Sequence, residues 1–138
     1  MSAINNPAAV GGNGGSYYST GAVAKVKSVT LRSGKYIDSI QLNYSTNQAS
    51  DAYGGQGGHV DNFNADGDEV IVAITGRSGY YVDAIQFITD KGTTSEYFGG
   101  SGGSPFTFQA PPGTYLVGIQ GQSGGYVDAF APIWGTNA

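Results

Sequence analysis

The 138 residues contain no cysteine, one histidine and one methionine, with only six lysines and arginines against ten acids. Without thiols there is no disulfide framework, no zinc–thiolate site and no cysteine nucleophile. With His59 as the single histidine, a multi-histidine metal site is excluded, and any catalytic triad would have to use that one residue. A net charge of −4 argues against nucleic acid, whose binding draws on a basic face that displaces counterions. No apolar run approaches the length of a membrane span, so membrane insertion is not expected. The opening "MSAINNPAAVGG" has neither the basic start nor the apolar core of a secretory signal, and the chain is expected to be soluble with no visible export tag. Charged residues make up 12%, too few for a charge-rich disordered chain.

What is abundant is glycine, 24 residues, with ten tyrosines. The glycines follow no collagen period; they belong to a longer one. "LRSGKYIDSIQL" (31–42), "GRSGYYVDAIQF" (76–87) and "GQSGGYVDAFAP" (121–132) repeat at 45 residues, which aligns Asp38, Asp83 and Asp128. Tyr36, Tyr81 and Tyr126 align too, as do Ser33, Ser78 and Ser123. A second motif reads "GGNGG" at 11–15, "GGQGG" at 54–58 and "GGSGG" at 99–103.

Between these motifs Val29 and Leu31 alternate with polar neighbours, as do Ile40, Leu42 and Tyr44, and Ile85 with Phe87. "EVIVAIT" (69–75) and "TYLVGIQ" (114–120) are β-branched or aromatic runs opened by turn signals. No stretch has a helical period. Four short strands in each of three units predict an all-β chain of about a dozen strands, one domain over 1–138. Three equivalent sheets bury their apolar faces most simply as the walls of a three-sided prism. A trefoil barrel has the same symmetry, and symmetry alone does not choose between them.

An aspartate just inside an apolar strand needs a reason. One reading is a turn residue bonded to nearby amides. The other is a ligand grip: an ionised carboxylate only accepts hydrogen bonds, through two oxygens, and so suits two adjacent sugar hydroxyls. The quintets could be flexible linker, but Gly54 lies 20 residues after Gly34 and Gly99 lies 20 after Gly79, a matching that a linker does not need. Glycine allows positive φ and lets main-chain N–H groups approach a ligand closely. No P-loop lysine follows any quintet, so phosphate is the weaker reading. His59 is replaced by Ser16 and Ser104 in the other units, which removes the case for catalysis. "DNFNADGDE" (61–69) fails the EF-hand spacing and reads as a solvated hairpin turn. No metal site, cofactor or catalytic residue is expected.

These motifs resemble the jacalin-related lectins: "GGNGG" near the start, "RSGKYID", and the closing "GQSGGYVDAFAPIW". Their evenness over nearly the whole chain is most similar to the griffithsin-like members of that family. The resemblance implies β-prism I, three four-stranded antiparallel sheets with pseudo-threefold symmetry. It also implies non-catalytic binding of mannose- or glucose-type sugars, with oligomannose glycans or glycoproteins as partners. Each pocket would join the last glycine of a quintet to a Gly-x-x-x-Asp turn. One would use Lys35, Tyr36 and Asp38 with Gly58; another Tyr80, Tyr81 and Asp83 with Gly103. Closing the repeat into a ring pairs Gly15 with Gly125, Tyr126 and Asp128. Galactose preference in the family is tied to a cleaved chain with a new N-terminus at the site. Ten residues precede Gly11 here, which favours mannose or glucose. Gln122 and Gly125 stand where the second unit has Arg77 and Tyr80, so the third pocket is expected to be looser or to treat neighbouring sugars differently. Griffithsin-like proteins can exchange N-terminal strands, which leaves both a monomer and a homodimer open. The rival readings are a glycoside hydrolase and a structural repeat module without sugar binding. A hydrolase needs two carboxyl groups about 5–10 Å apart, and Glu69 and Glu96 have no counterparts in the other units.

Overall fold

The computed structural model describes residues 2–136, in which the regular structure is thirteen β-strands. Six long strands form three hairpins where the alternating pattern predicts them. They are β4 (Val26–Ser33) with β5 (Ile37–Tyr44), β8 (Ile71–Ser78) with β9 (Val82–Thr89), and β12 (Tyr115–Ser123) with β13 (Val127–Thr136). Successive side chains of a strand point to opposite faces. Val29 and Leu31 are accordingly buried while Thr30 and Arg32 lie on the half-covered outer face. Ile40 and Leu42, and Ile85 and Phe87, repeat this on the partner strands.

Each hairpin gains an outer strand on either side. β7 (His59–Asn64) and β6 (Tyr53–Gly54) flank the first, giving the order β6-β5-β4-β7; β11 (Ser104–Gln109) and β10 (Phe98–Gly99) flank the second, giving β10-β9-β8-β11. The third is completed by the start of the chain: β3 (Ser16–Ser19) pairs with β12, while β2 (Val10–Gly11) and β1 (Ser2–Asn5) pair with successive parts of β13. This sheet therefore has one strand more than the expected four. Where β1 runs beside the end of β13, the other two sheets have only single bridges, Asn43 to Ala49 and Ile88 to Thr94.

All pairings are antiparallel, and the three inner faces meet in one core. Trp134, Phe87, Phe130, Leu31, Ile74 and Ile119 are among its fully buried members. The Phe63 and Phe87 rings stack across two sheets at 5.7 Å. Three sheets around a common interior make the prism of the sequence reading, and exclude the trefoil barrel.

Candidate carbohydrate-binding site

The aspartate inside the strand is explained by the register. Arg32 pairs with Ser39 and Ser33 with Ile37, so Asp38 is an extra residue with no partner across the ladder. Asp83 and Asp128 are skipped in the same way. A β-bulge of this kind kinks the strand and re-aims a side chain. A three-residue loop closes each hairpin beside it, fastened by the first glycine's N–H donating to the tyrosine carbonyl at 2.9–3.0 Å.

The bulge also presents the aspartate's carbonyl to the glycine quintet. The N–H of Gly55 donates to the Asp38 carbonyl at 2.7 Å, and Gly100 and Gly12 do the same to Asp83 and Asp128 at 2.8 Å. The last glycine of each quintet has a left-handed backbone, φ +69° at Gly58, +73° at Gly103 and +74° at Gly15. A Cβ on Gly58 would lie 2.5 Å from the Ser33 carbonyl and 2.7 Å from Asp38 Oδ1, and Gly103 and Gly15 are enclosed alike. Glycine is thus required by sterics as well as by φ. So Gly58 sits against Asp38, Gly103 against Asp83, and Gly15 against Asp128, the last pair drawn from opposite ends of the chain.

The three clusters touch one another. A Cβ on Gly55 would collide with the Gly125 carbonyl, one on Gly100 with that of Lys35, and one on Gly12 with that of Tyr80. Each quintet therefore abuts the loop of the next unit, and the three form a closed ring. The Tyr36, Tyr81 and Tyr126 rings meet one another inside it, with centroids 4.8–5.1 Å apart. The sequence reading assigned one of these tyrosines to each pocket. Their first contact is with each other, and Tyr36 also lines the cavity beside Asp83.

Residues 7–132 match the model of the jacalin-like lectin domain. The chain belongs to that family. The lectin superposes on Malaysian banana lectin with a TM-score of 0.86 and 26% identity, covering 99% of this chain and 100% of that one. For AcmJRL, a mannose-binding jacalin-related lectin from Ananas comosus, the values are 0.84, 27%, 94% and 96%. For a prostate-specific WGA16 glycoprotein lectin they are 0.81, 28%, 92% and 96%. Comparison with curated proteins finds no match. Family and fold together make this lectin a carbohydrate-binding protein and not an enzyme.

Asp38, Asp83 and Asp128 are buried residues of the lectin, with 6%, 5% and 6% of their surface exposed. Burial raises the pKa of all three above the usual carboxylate value. Arg32 and, more weakly, His59 offset this at Asp38, and Arg77 does so at Asp83. Asp128 has only its own N–H to do so. The effects of Arg32, His59 and Arg77 are effects of charge: among the described residues, no side chain donates a hydrogen bond to the three carboxylates. Nor do the main-chain N–H groups of Lys35, Tyr36 and Gly58, or their counterparts, donate within the chain. Beside Asp83 a cavity opens that is lined by Tyr80, Tyr81 and Gly103.

The arginines have a second task that the sequence reading missed. Arg32 Nε donates to the Gly57 carbonyl at 3.1 Å; Arg77 donates to those of Gly102 and Gly103 at 3.0 and 2.7 Å. Each clips its quintet to the hairpin. Gln122 stands in that column of the third unit and makes no such bond among the described residues, and this column of the repeat alignment was the available signal. His59 lies exposed at the start of β7, 3.3 Å from Asp61, and no cluster of metal-ligating residues occurs among the described residues.

Proposed function

We propose that this lectin binds mannose-type sugars reversibly, without chemistry, at three pockets around one end of the prism. The observation that carries the reading is the repeated juxtaposition just described. A buried carboxylate lacking a side-chain donor lies beside main-chain N–H groups that donate nowhere else. Each carboxylate accepts two vicinal hydroxyls, and the N–H groups of Lys35, Tyr36 and Gly58, of Tyr80, Tyr81 and Gly103, and of Gly125, Tyr126 and Gly15 donate to the same ring. The mannose-binding description of the Ananas comosus lectin supports the sugar type.

Four or five hydrogen bonds, each contributing about 1 kcal/mol net against water, give one pocket a weak affinity, roughly millimolar. Function then rests on number: a branched oligomannose glycan that bridges pockets gains about 10²–10⁴ in avidity. The first strands pair with the last within one chain, an arrangement that a closed monomer and a strand-exchanged homodimer satisfy equally. Light scattering at high concentration, reading one chain mass or two, decides between them.

The test is calorimetric titration with methyl α-mannoside and with an oligomannose glycan. Wild type should bind both, the glycan far more tightly. The variant carrying Asp38→Ala, Asp83→Ala and Asp128→Ala should bind neither while keeping its β-type circular dichroism. Silence from wild type, or unchanged binding by the triple variant, would sink the reading.

A further inference from the structure

The quintet beside Asp128 differs from the other two in two ways. Its middle residue is Asn13, where the others carry Gln56 and Ser101, so it holds the dipeptide Asn-Gly. Every other asparagine of the chain precedes a residue that has a Cβ. The second difference is that this quintet is unclipped. Arg32 holds the carbonyl of Gly57 and Arg77 that of Gly102, but the equivalent Gly14 carbonyl accepts no hydrogen bond among the described residues. The Gly14 N–H donates none there either. Asn13 and Gly14 are exposed, and Asn13 lines a cavity of about 380 Å³ together with Tyr17, Gln120 and Gln122.

We infer that Asn13 is a spontaneous modification site, whose isoaspartyl product disables the Asp128 pocket and leaves the other two intact. The loss of the pocket rests on the mannose reading above; the chemistry does not. The Gly14 nitrogen gives its proton to solvent base and attacks Asn13 Cγ. A new C–N bond forms, the carboxamide C–N bond breaks, and ammonia leaves with a proton from water, closing a five-membered imide. Water then opens that ring. Attack at Cγ gives aspartate; attack at the main-chain carbonyl gives isoaspartate, whose backbone runs through Cβ and Cγ and is longer by one atom. Glycine permits the closure because no Cβ on residue 14 shields the nitrogen. Gln56 would need a slower six-membered ring, and Ser101 has no carboxamide. Without an arginine clip, the Gly14 peptide is also free to turn toward the side chain. The extra atom meets a quintet with no slack. Gly12 is tied to the Asp128 carbonyl at 2.8 Å. A Cβ would lie 2.2 Å from the Tyr80 carbonyl at Gly12, 2.7 Å from Asp128 Oδ2 at Gly14 and 2.5 Å from the Ser123 carbonyl at Gly15. Lengthening the chain between Asn13 and Gly14 therefore pushes Gly14 and Gly15 off Asp128.

The experiment holds the intact chain in warm, mildly alkaline buffer and follows residue 13 by peptide mapping. Binding is read by ¹H–¹⁵N NMR titration with methyl α-mannoside, the amides of Gly58, Gly103 and Gly15 serving as separate reporters. Residue 13 should convert while Asn43, Asn47, Asn62 and Asn64 stay intact. The purified isoaspartyl form should lose about tenfold or more in affinity at Gly15 and keep its midpoints at Gly58 and Gly103. Asn13→Ser, which copies the quintet at 99–103, should hold all three midpoints through the same incubation. Asn13→Asp adds the charge without the longer backbone and should bind at Gly15 more tightly than the isoaspartyl form. An unconverted residue 13 would overturn the inference. So would an isoaspartyl form with an unchanged Gly15 midpoint, or an equal loss in Asn13→Asp. A fresh chain with no mannoside shift at any reporter would instead bring down the mannose reading, and the pocket loss built on it, while peptide mapping still decides the chemistry.

Discussion

Each of the three aspartates is kept ionised at a cost. Burial lifts its pKa, so the folded chain holds a proton there more readily than the unfolded chain does. The stabilising protonated form is fully present below the unfolded value, and its benefit fades as pH rises through the raised folded value. Sugar binding runs the other way, because a protonated carboxyl no longer accepts through both oxygens. Two outcomes are expected. Affinity for mannoside should fall on acidification, with a midpoint raised from the ordinary aspartate value, as followed by titration across pH. The triple Asp→Asn variant should melt higher than wild type at neutral pH, and that advantage should shrink in acid. At one site, Asp83→Asn should weaken binding about tenfold or more, read at the Gly103 amide. The last glycine of a quintet is as constrained as the acid it touches. Gly58→Ala, at φ +69° and against the Ser33 carbonyl and Asp38 Oδ1, should cost at least about 1 kcal/mol in a melt and silence the Asp38 pocket.

At the scale of the element, the working part is a bulged hairpin clipped to a glycine strap. The repeat made Asp38, Asp83 and Asp128 visible as special, because an acid among Val, Ile and Ala at a fixed interval breaks the binary pattern. Why they sit there was hidden: a bulge is a count of two residues against one across a ladder, and a single strand's sequence does not reveal its partner's register. The long strands were legible because Val29, Leu31, Ile40 and Phe87 follow the two-residue period. The clips were not, since an arginine reaching a carbonyl 25 residues away leaves no local signature. Arg77→Ala should raise the Kd of the Asp83 pocket several-fold while lowering stability by only about 0.5–1.5 kcal/mol, seen by comparing titration with thermal melts. Phe87→Ala should do the reverse. It removes a fully buried ring stacked on Phe63, costing about 3–5 kcal/mol in denaturant unfolding, with all three pockets affected together.

At the scale of the molecule, the threefold plan and the pairing of Gly15 with Asp128 were legible by arithmetic, since a repeat that closes on itself has no true beginning. The contact of each quintet with the next unit's loop was not, because it joins glycines to carbonyls and no side chain marks it. Ser2 pairs with Thr136, so the two ends of the chain run side by side. A circular permutant that joins them and opens the exposed turn at 90–93 should keep the fold by circular dichroism and mannoside binding by calorimetry. That same adjacency sets an order of events at birth. Two sheets are complete once residue 109 has emerged, whereas the last sheet waits for the final strand, with the opening residues idle until then. A nascent chain thus carries a free ribbon first and offers the berth for it last. A strand-exchanged pair, were light scattering to show one, would trace back to that interval, when a neighbour's ribbon has the berth to itself.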